Sequence, residues 1–177
     1  MKITHNNLTP ELHSILIGLL LGDGSLYKSS LTSNVRFEMS FGSKYEEYST
    51  FIGSLFSQYM RTPVKSIEIK GSLDKVYTQY RLKTKTLPLF NNYHDMFYKL
   101  DPITNKYHKI VPTLINDLMN PIVLAYLIHG DGNYDNSRNR IRIYTNSFKK
   151  EDVINLANAI HTKLNIYTGV LHDRKDQ

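Results

Sequence analysis

The 177-residue chain contains no cysteine, which excludes disulfides and zinc sites built from thiolates. A metal ion would therefore need oxygen or histidine ligands, and this favours hard cations. The chain also lacks an apolar run of about 18 residues, so the sequence predicts no membrane-spanning helix. Its longest apolar stretch, residues 15–21, is interrupted by Gly18. Polar residues follow Lys2, so no signal peptide is predicted.

Basic residues outnumber acidic ones. Lysine and arginine total 22 against 16 aspartates and glutamates, which gives a net charge of +6 and an isoelectric point near 9.3. A surplus of this size indicates an anionic partner, although solubility alone accounts for it equally well.

One short motif occurs twice in the chain. Residues 19–24, LLLGDG, match residues 127–132, LIHGDG. Each copy follows an N-cap residue and a proline, Thr9-Pro10 and Asn120-Pro121, a pattern that predicts the start of a helix. We expect each helix to end at its glycines, where left-handed backbone costs little.

The segments after the two copies also match. In residues 1–100 the predicted order is helix–strand–strand–helix–strand–strand–helix, with an alternating strand at 35–41, a helix at 44–60, strands at 64–70 and 77–85 joined through Gly71 and Ser72, and a helix at 87–100. Residues 101–120 are polar and form a connector. Residues 121–177 repeat the unit, with Ile141 and Ile143 facing inward, a helix at 149–164 and a third strand begun at 166–171. The fold class is α+β, and the second half is apparently truncated.

The positions of the two repeated acids are electrostatically unfavourable if the acids serve only the stability of the fold. Gly18 and Gly22 share one helix face, so the two motif helices are expected to pack at their ends, near Gly22 and Gly130, with Tyr126 in the place of Gly18. Asp23 and Asp131 would then meet. A carboxylate at the negative end of a helix costs about 0.3–1 kcal/mol, and two carboxylates repel. A divalent cation reverses both effects, and carboxylates with backbone carbonyls suit Mg²⁺.

A single Gly-Asp-Gly is explained by a turn after a helix, but two copies in matched surroundings are not. Residues 16–24, LIGLLLGDG, and residues 124–132, LAYLIHGDG, resemble the signature of the LAGLIDADG homing endonucleases. The resemblance implies two pseudo-symmetric halves, motif helices at their interface, and two antiparallel sheets over double-stranded DNA.

The resemblance also implies a catalytic centre. Asp23 and Asp131 would be catalytic and would bind Mg²⁺ or Mn²⁺ together with the backbone carbonyls of Gly22 and Gly130. Staggered cuts in the two strands would follow. Lys109 resembles a lysine that the family places near the metal-bound waters, while a solvated loop lysine is an equally good reading.

Basic and polar side chains are expected on one face of the strands in both halves. If alternate apolar residues face inward, the outward residues are of the types that reach bases and phosphates. The residues expected to contact DNA are Arg36, Glu38, Ser40, Gln79, Arg81, Lys83, Lys85, Arg138, Arg140, Arg142 and Tyr144.

Two further hypotheses stand beside a site-specific endonuclease. The first is an intron-splicing RNA maturase, or a catalytically degenerate DNA-binding protein of the same fold. The second is a structural protein with an accidental repeat. A monomer is expected if the chain is complete, and a partner chain if it is not. The family, together with a composition rich in Asn, Lys, Ile and Tyr, suggests the mitochondrial matrix.

Overall fold

The computed structural model describes residues 8–71 and 75–171, whose contacts divide them into two compact units. The first unit comprises residues 23–91, and the second comprises residues 8–22 together with residues from 92 onward. Both combine helices with antiparallel strands, so the prediction of an α+β chain is confirmed. Within the described residues, no helix has the length and apolar character needed to cross a membrane.

The first unit is built on a four-stranded antiparallel sheet in the order β1-β2-β4-β3. Its strands are β1 (Ser25–Lys28), β2 (Val35–Gly42), β3 (Lys65–Lys70) and β4 (Val76–Lys83). Between β2 and β3 the chain forms a 3₁₀ turn (Ser43–Tyr45), helix α2 (Glu46–Leu55) and a second 3₁₀ turn (Ser57–Tyr59). The helix predicted over 44–60 is therefore shorter and flanked by tighter turns. A third 3₁₀ turn, Pro88–Phe90, follows β4.

The buried face of this sheet follows the alternation in β2. Val35, Phe37, Met39 and Phe41 are buried, as the sequence predicted. The ring of Phe37 lies 5.1 Å from the ring of Phe56, between centroids. Burial of side chains of this size contributes roughly 1.5–3 kcal/mol each. This face is therefore held against the core, and the opposite face of the sheet remains open.

The second unit contains both motif helices, α1 (Pro10–Leu21) and α5 (Pro121–Asp131), which pack on each other. Its other elements are α3 (Asn91–Phe97, apart from its first residue), β5 (Tyr98–Asp101), β6 (Lys106–Lys109), α4 (Ile115–Leu118), β7 (Gly132–Asp135), β8 (Arg140–Ile143) and α6 (Lys150–Leu164). Strands β5 and β6 form one antiparallel hairpin and β7 and β8 another, while α6 packs on α4.

The starts of both motif helices are capped as the sequence predicted. The hydroxyl of Thr9 accepts a hydrogen bond from the backbone N–H of Leu12 (3.2 Å). The side-chain oxygen of Asn120 accepts one from Val123 (3.0 Å). The amide nitrogen of Asn120 also donates to the hydroxyl of Ser14 (2.8 Å). One asparagine therefore starts α5 and ties that start to the first turns of α1.

The helix ends differ from the prediction. No described glycine has a positive φ, so neither motif helix uses left-handed backbone to stop. Helix α1 ends before Gly22, whose φ is −102° and ψ −133°. Helix α5 continues through Asp131 and ends before Gly132, where the backbone turns directly into β7. Non-helical backbone at these glycines, extended at Gly132, ends both helices and begins the following chain segment.

Two further predictions were wrong. The helix expected over 87–100 stops at Phe97, because residues 98–101 pair with residues 106–109. The connector 101–120 thus contains half of a hairpin and the short helix α4. Residues 166–171 form no strand. The hydroxyl of Thr168 instead donates to the carbonyl of Ala157 (2.8 Å), which ties this segment to α6. Ser72, expected in the β3–β4 turn, and residues 172–177 of the second half lie outside the described residues.

Candidate metal centre and nucleic-acid interface

The two motif helices approach most closely at Gly18. A β-carbon built on Gly18 would lie 2.6 Å from the carbonyl oxygen of Val123 and 2.8 Å from the β-carbon of Tyr126. Gly130 has no heavy atom within 4 Å of such a carbon and is exposed. The expected symmetry of Gly22 and Gly130 is therefore absent, because the contact between the helices centres on Gly18 and on the backbone of α5 before Tyr126.

Two charged side chains lie at the carbonyl end of α1. The ammonium of Lys109, at the end of β6, donates to the carbonyl oxygen of Gly22 (2.6 Å). A β-carbon built on Gly22 would lie 3.1 Å from the carboxylate oxygen Oδ2 of Asp131. A lysine and an acid thus converge on the residue that ends α1. The negative end of a helix favours a cation, which explains why the lysine is held there.

Asp23 is the residue bonded to Gly22, and its side chain is exposed. In the first unit it opens onto a groove of about 390 Å³ beside the outer face of the sheet. The groove is lined by Asp23, Ser25, Glu38, Met39, Ser40 and Arg81. Three of the residues expected to contact DNA, Glu38, Ser40 and Arg81, therefore share one groove with a motif acid.

The ligands available in the two motifs fit a hard cation. Among residues 8–71 and 75–171, no three histidine, aspartate or glutamate side chains form a cluster of metal-binding type. Mg²⁺ does not require one, because it commonly binds one or two carboxylates and takes water and substrate phosphate oxygens for the rest. The Gly22 carbonyl and the Asp131 carboxylate beside it are oxygen ligands of this kind.

The outer face of the first sheet carries a charge network. Glu38 accepts a hydrogen bond from the guanidinium of Arg36 and lies 3.6 Å from the ammonium of Lys83. The guanidinium carbon of Arg36 also sits 4.1 Å from the ring centre of Tyr27. Arg36 is thereby held between a carboxylate and an aromatic face, which orients its free donors.

The β2–β4 register extends this face. Glu38 pairs with Lys83, Ser40 with Arg81, and Gly42 with Gln79, and directly paired residues share a face. The outward placement predicted for these residues therefore agrees with the register. Lys85 differs, because β4 ends at Lys83 and the Lys85 ammonium donates to the carbonyl of Gln58 (3.3 Å).

The β7–β8 hairpin gathers its arginines around one carboxylate. Asp135 lies within 3.2–3.4 Å of the guanidinium groups of Arg138, Arg140 and Arg142 and accepts from the hydroxyl of Ser137 (2.6 Å). The Ser137 hydroxyl, followed by the arginines, holds the pKa of the Asp135 carboxyl well below its usual value. The predicted basic residues therefore lie close together, but the Asp135 carboxylate of the same hairpin partly neutralises their charge.

Two details of this hairpin depart from the sequence prediction. Ile141 was expected to face inward but is 54% exposed. It pairs with the exposed Tyr134, towards the hairpin tip, whereas Ile143 pairs with Gly132 directly after α5 and is half-buried. Tyr144 lies beyond β8, and its backbone N–H donates to the carbonyl of Asp131 (2.9 Å). Its side chain is exposed.

Sequence reasoning missed several residues of the outer face. Ser25 and Tyr27 of β1 pair with Glu38 and Arg36. Lys65 of β3 pairs with Arg81, which adds a lysine to the basic face. Strand β1 has only four residues, too few for a clear alternation. In β3 the alternation groups Lys65 with Ile67 and Ile69, which would predict the inward side for all three, and the strand is exposed along most of its length.

Comparison with known proteins gives consistent matches. Residues 13–177 match the model of the LAGLIDADG DNA endonuclease family. The DNA endonuclease I-ChuI of Chlamydomonas applanata is 30% identical over 173 residues, which cover 92% of this chain and 77% of that protein. The cytochrome b mRNA maturase bI2 of Saccharomyces cerevisiae is 26% identical over 183 aligned positions, which cover 99% of this chain but only 42% of the maturase.

A solved structure has the same fold. The homing endonuclease I-WcaI, bound to its DNA recognition sequence, superposes with a TM-score of 0.81 at 23% identity, covering 95% of this chain and 74% of that chain. The predicted homing-endonuclease fold is thereby confirmed.

Proposed function

Because this chain belongs to the LAGLIDADG DNA endonuclease family, we propose that it hydrolyses one phosphodiester bond on each strand of a specific double-stranded DNA site. The cuts are staggered, and Mg²⁺ or Mn²⁺ is the cofactor. Asp23 and Asp131 are the catalytic acids, with the carbonyls of Gly22 and Gly130 as further ligands. The halves are residues 1–100 and 121–177, and residues 101–120 connect them.

One observation carries the catalytic assignment most strongly. Lys109 and Asp131 lie far from Gly22 along the chain, yet both reach this last residue before Asp23. The negative end of a helix is unfavourable for a carboxylate and favourable for a cation, and the Lys109 ammonium lies at this end. An acid and a lysine gathered at the residue before a motif acid support a site at which a divalent cation and a phosphate would bind.

Each residue then has a role in the reaction. A bound divalent cation would polarise the scissile phosphate and lower the pKa of a water. Asp131 and Asp23 supply the negative charge that holds the cation, and the Gly22 carbonyl supplies a neutral oxygen. The Lys109 ammonium supplies a fixed positive charge and N–H donors beside these ligands, where negative charge develops as a phosphate is attacked.

The outer face of the first sheet and the arginines of the β7–β8 hairpin supply the DNA contacts of this proposal. Arg36, Arg81, Lys83 and Lys65 form a basic face beside the Asp23 groove. Contacts from such residues to phosphates set the position of the protein on the duplex, and contacts to base edges select the sequence. Lys85 is left out of this set because its ammonium is engaged by Gln58.

Supercoiled plasmid carrying a site obtained by cleavage selection from a randomised library tests the proposal. We expect linear product with Mg²⁺ or Mn²⁺ and none with EDTA, because two carboxylates without a cation repel the phosphate. The assay follows nicked and linear plasmid on a gel. Linear product at the same rate in EDTA would show that cleavage does not depend on a divalent cation.

Replacing Lys109 with methionine is expected to slow cleavage roughly 100-fold or more at saturating protein, because the side-chain volume remains while the charge and donors are lost. DNA affinity measured in EDTA should change little. Lys99→Met is the matched control, since Lys99 is an exposed lysine of the same hairpin. Equal cleavage rates for the two variants would assign Lys109 to the helix end alone.

The similarity to cytochrome b mRNA maturase bI2 supports a second candidate, an RNA maturase that assists intron splicing. Splicing of the host intron with no cleavage of any DNA in the library would favour it. We propose an organellar, mitochondrial location and a monomer for either activity, on the basis of the composition and the two motifs in one chain.

A further inference from the structure

Strand β3 carries its apolar side chains on the opposite face of the sheet from those of β2. Ser66 pairs with Tyr80, and Tyr80 pairs with the buried Phe41, so Ser66 lies on the helix-facing side of the sheet. Glu68 and Lys70 share that side by alternation. Ile67 and Ile69 therefore lie on the outer side, among the basic residues. An ordinary half-buried strand places its apolar residues on the opposite side.

The outer apolar residues form one small patch. Ile67 pairs with Gln79, and Ile69 pairs with Tyr77. We call Ile67, Ile69 and Tyr77 the methyl patch. Ile69 is 36% exposed and Tyr77 53% exposed, so the patch faces solvent. Exposed apolar groups that are clustered mark a binding surface more often than scattered ones do.

The methyl patch is also held in place. A β-carbon built on Gly71 would lie 2.4 Å from the ring carbon Cε2 of Tyr77, so the tyrosine ring occupies the space that the glycine leaves open. The backbone N–H of Gly71 donates to the carbonyl of Lys75 (2.7 Å), which closes this end of the hairpin. A side chain fixed in this way loses little conformational entropy when it binds.

The neighbours of the methyl patch indicate a nucleic-acid ligand. On the same face, the cross-strand pair next to Ile67 and Gln79 is Lys65 and Arg81, and Lys83 follows on β4. A basic surface with an apolar patch fits the major groove, where thymine presents a methyl group.

We propose that the methyl patch recognises the 5-methyl groups of thymine in the DNA site. This inference rests on the proposed function, since it names which bases the same face selects. A second copy of the chain is the weaker occupant, because two such faces would bring Lys65 and Arg81 of one copy against the same charges of the other.

Replacing thymine by uracil tests the proposal, because uracil keeps Watson–Crick pairing and removes only the methyl group. Affinity of the full chain for its selected site is measured in EDTA with thymine, and then with uracil at single positions and throughout. We expect binding to weaken about fourfold for each methyl group that the patch contacts. The sensitive positions should form one short block in one half of the site, because the patch lies only in the first unit.

A double-mutant comparison separates the side chains from any change in the DNA itself. The Ile67→Ser, Ile69→Ser variant should lose the preference for thymine over uracil at those positions. Val76→Ser is the matched control, because Val76 is an exposed apolar residue of the same hairpin but pairs with Lys70 on the opposite side. It should keep the full preference.

The outcomes are separable. Binding and cleavage with equal affinity for thymine and uracil sites would overturn the inference and leave the proposed function intact. The same preference in the double-serine variant as in the parent chain would also overturn it. A dimer in solution that the double-serine variant dissociates, with no preference for thymine, would assign the patch to a second copy. Absence of any DNA binding would remove the proposed function itself.

Discussion

Asp131→Asn should lose cleavage of both DNA strands, by about 10²- to 10³-fold or more in rate at saturating protein. Asparagine keeps the size of the side chain but removes the charge that holds a divalent cation beside Gly22. Asp23→Asn should lose a similar factor, because the two motifs contribute one acid each. Rates are measured separately for the first and second cut, from supercoiled to nicked and from nicked to linear plasmid.

The control for both acids is Asp117→Asn. Asp117 is an exposed acid on α4, and its replacement should leave the rate unchanged. DNA affinity in EDTA should be retained or raised in the Asp131→Asn and Asp23→Asn variants, since each removes a negative charge near the phosphates. Parental cleavage of both strands by Asp131→Asn would contradict the assignment of that acid. Loss of binding together with cleavage would point to misfolding instead.

The parts of the fold that sequence reasoning predicted are those with local signals. Thr9 and Asn120 cap helices because a short side-chain oxygen reaches the backbone N–H groups of the first turn, and that geometry involves only neighbouring residues. Strand β2 was predicted because four large apolar residues alternate over one short segment. Neither prediction depends on anything remote in the chain.

The hairpin of β5 and β6 shows where local reasoning ended. Tyr98 and Leu100 fit the apolar stripe of a continuing helix, yet they pair with Lys109 and Tyr107. The turn between the strands was the available signal. Asp101 accepts hydrogen bonds from Ile103 and Thr104, as aspartate does in such turns, and Asn105 takes the left-handed backbone (φ 54°) that asparagine tolerates.

That hairpin also matters to the site. It ends at Lys109, so the pairing of Tyr98 with Lys109 brings the lysine to a fixed place in the second unit. The sequence indicated only a polar connector here, and that prediction did not say which group Lys109 contacts. The candidate site was thus predictable as a set of residue types, while the partner of Lys109 required the structure. The catalytic roles of Asp23, Asp131 and Lys109 stay predictions until the variants are measured.

The two surfaces that we propose to contact DNA share a feature that composition does not reveal. In the first unit Glu38 engages Arg36 and Lys83, and in the second Asp135 engages three arginines. Both carboxylates reduce the positive charge available for phosphates while fixing the direction of the guanidinium donors. Nonspecific binding depends mainly on the number of phosphates neutralised. Carboxylates placed in this way therefore favour selective binding over general attraction to DNA.

The packing of the motif helices leads to the largest expected effect on stability. Gly18→Ala should lower the free energy of unfolding by about 1–3 kcal/mol, because the added methyl group meets the backbone carbonyl of Val123 at 2.6 Å and the β-carbon of Tyr126 at 2.8 Å. Neither atom belongs to the flexible end of a side chain, so the helices must separate. For a chain of this size each kcal/mol corresponds to roughly 2–4 °C in the melting temperature.

Gly130→Ala is the matched control, since it makes the same change in the other motif helix, where no atom apart from the chain neighbours and the helix's own backbone lies within 4 Å. Alanine at that position should leave stability unchanged or raise it by about 0.5–1 kcal/mol, through the lower entropy of the unfolded chain. Denaturant unfolding of both variants, followed by circular dichroism, measures the difference. Equal stabilities would mean that α1 and α5 do not need the close approach at Gly18. A loss confined to Gly18→Ala, with slower cleavage, would tie the position of Asp131 beside Gly22 to that single helix contact.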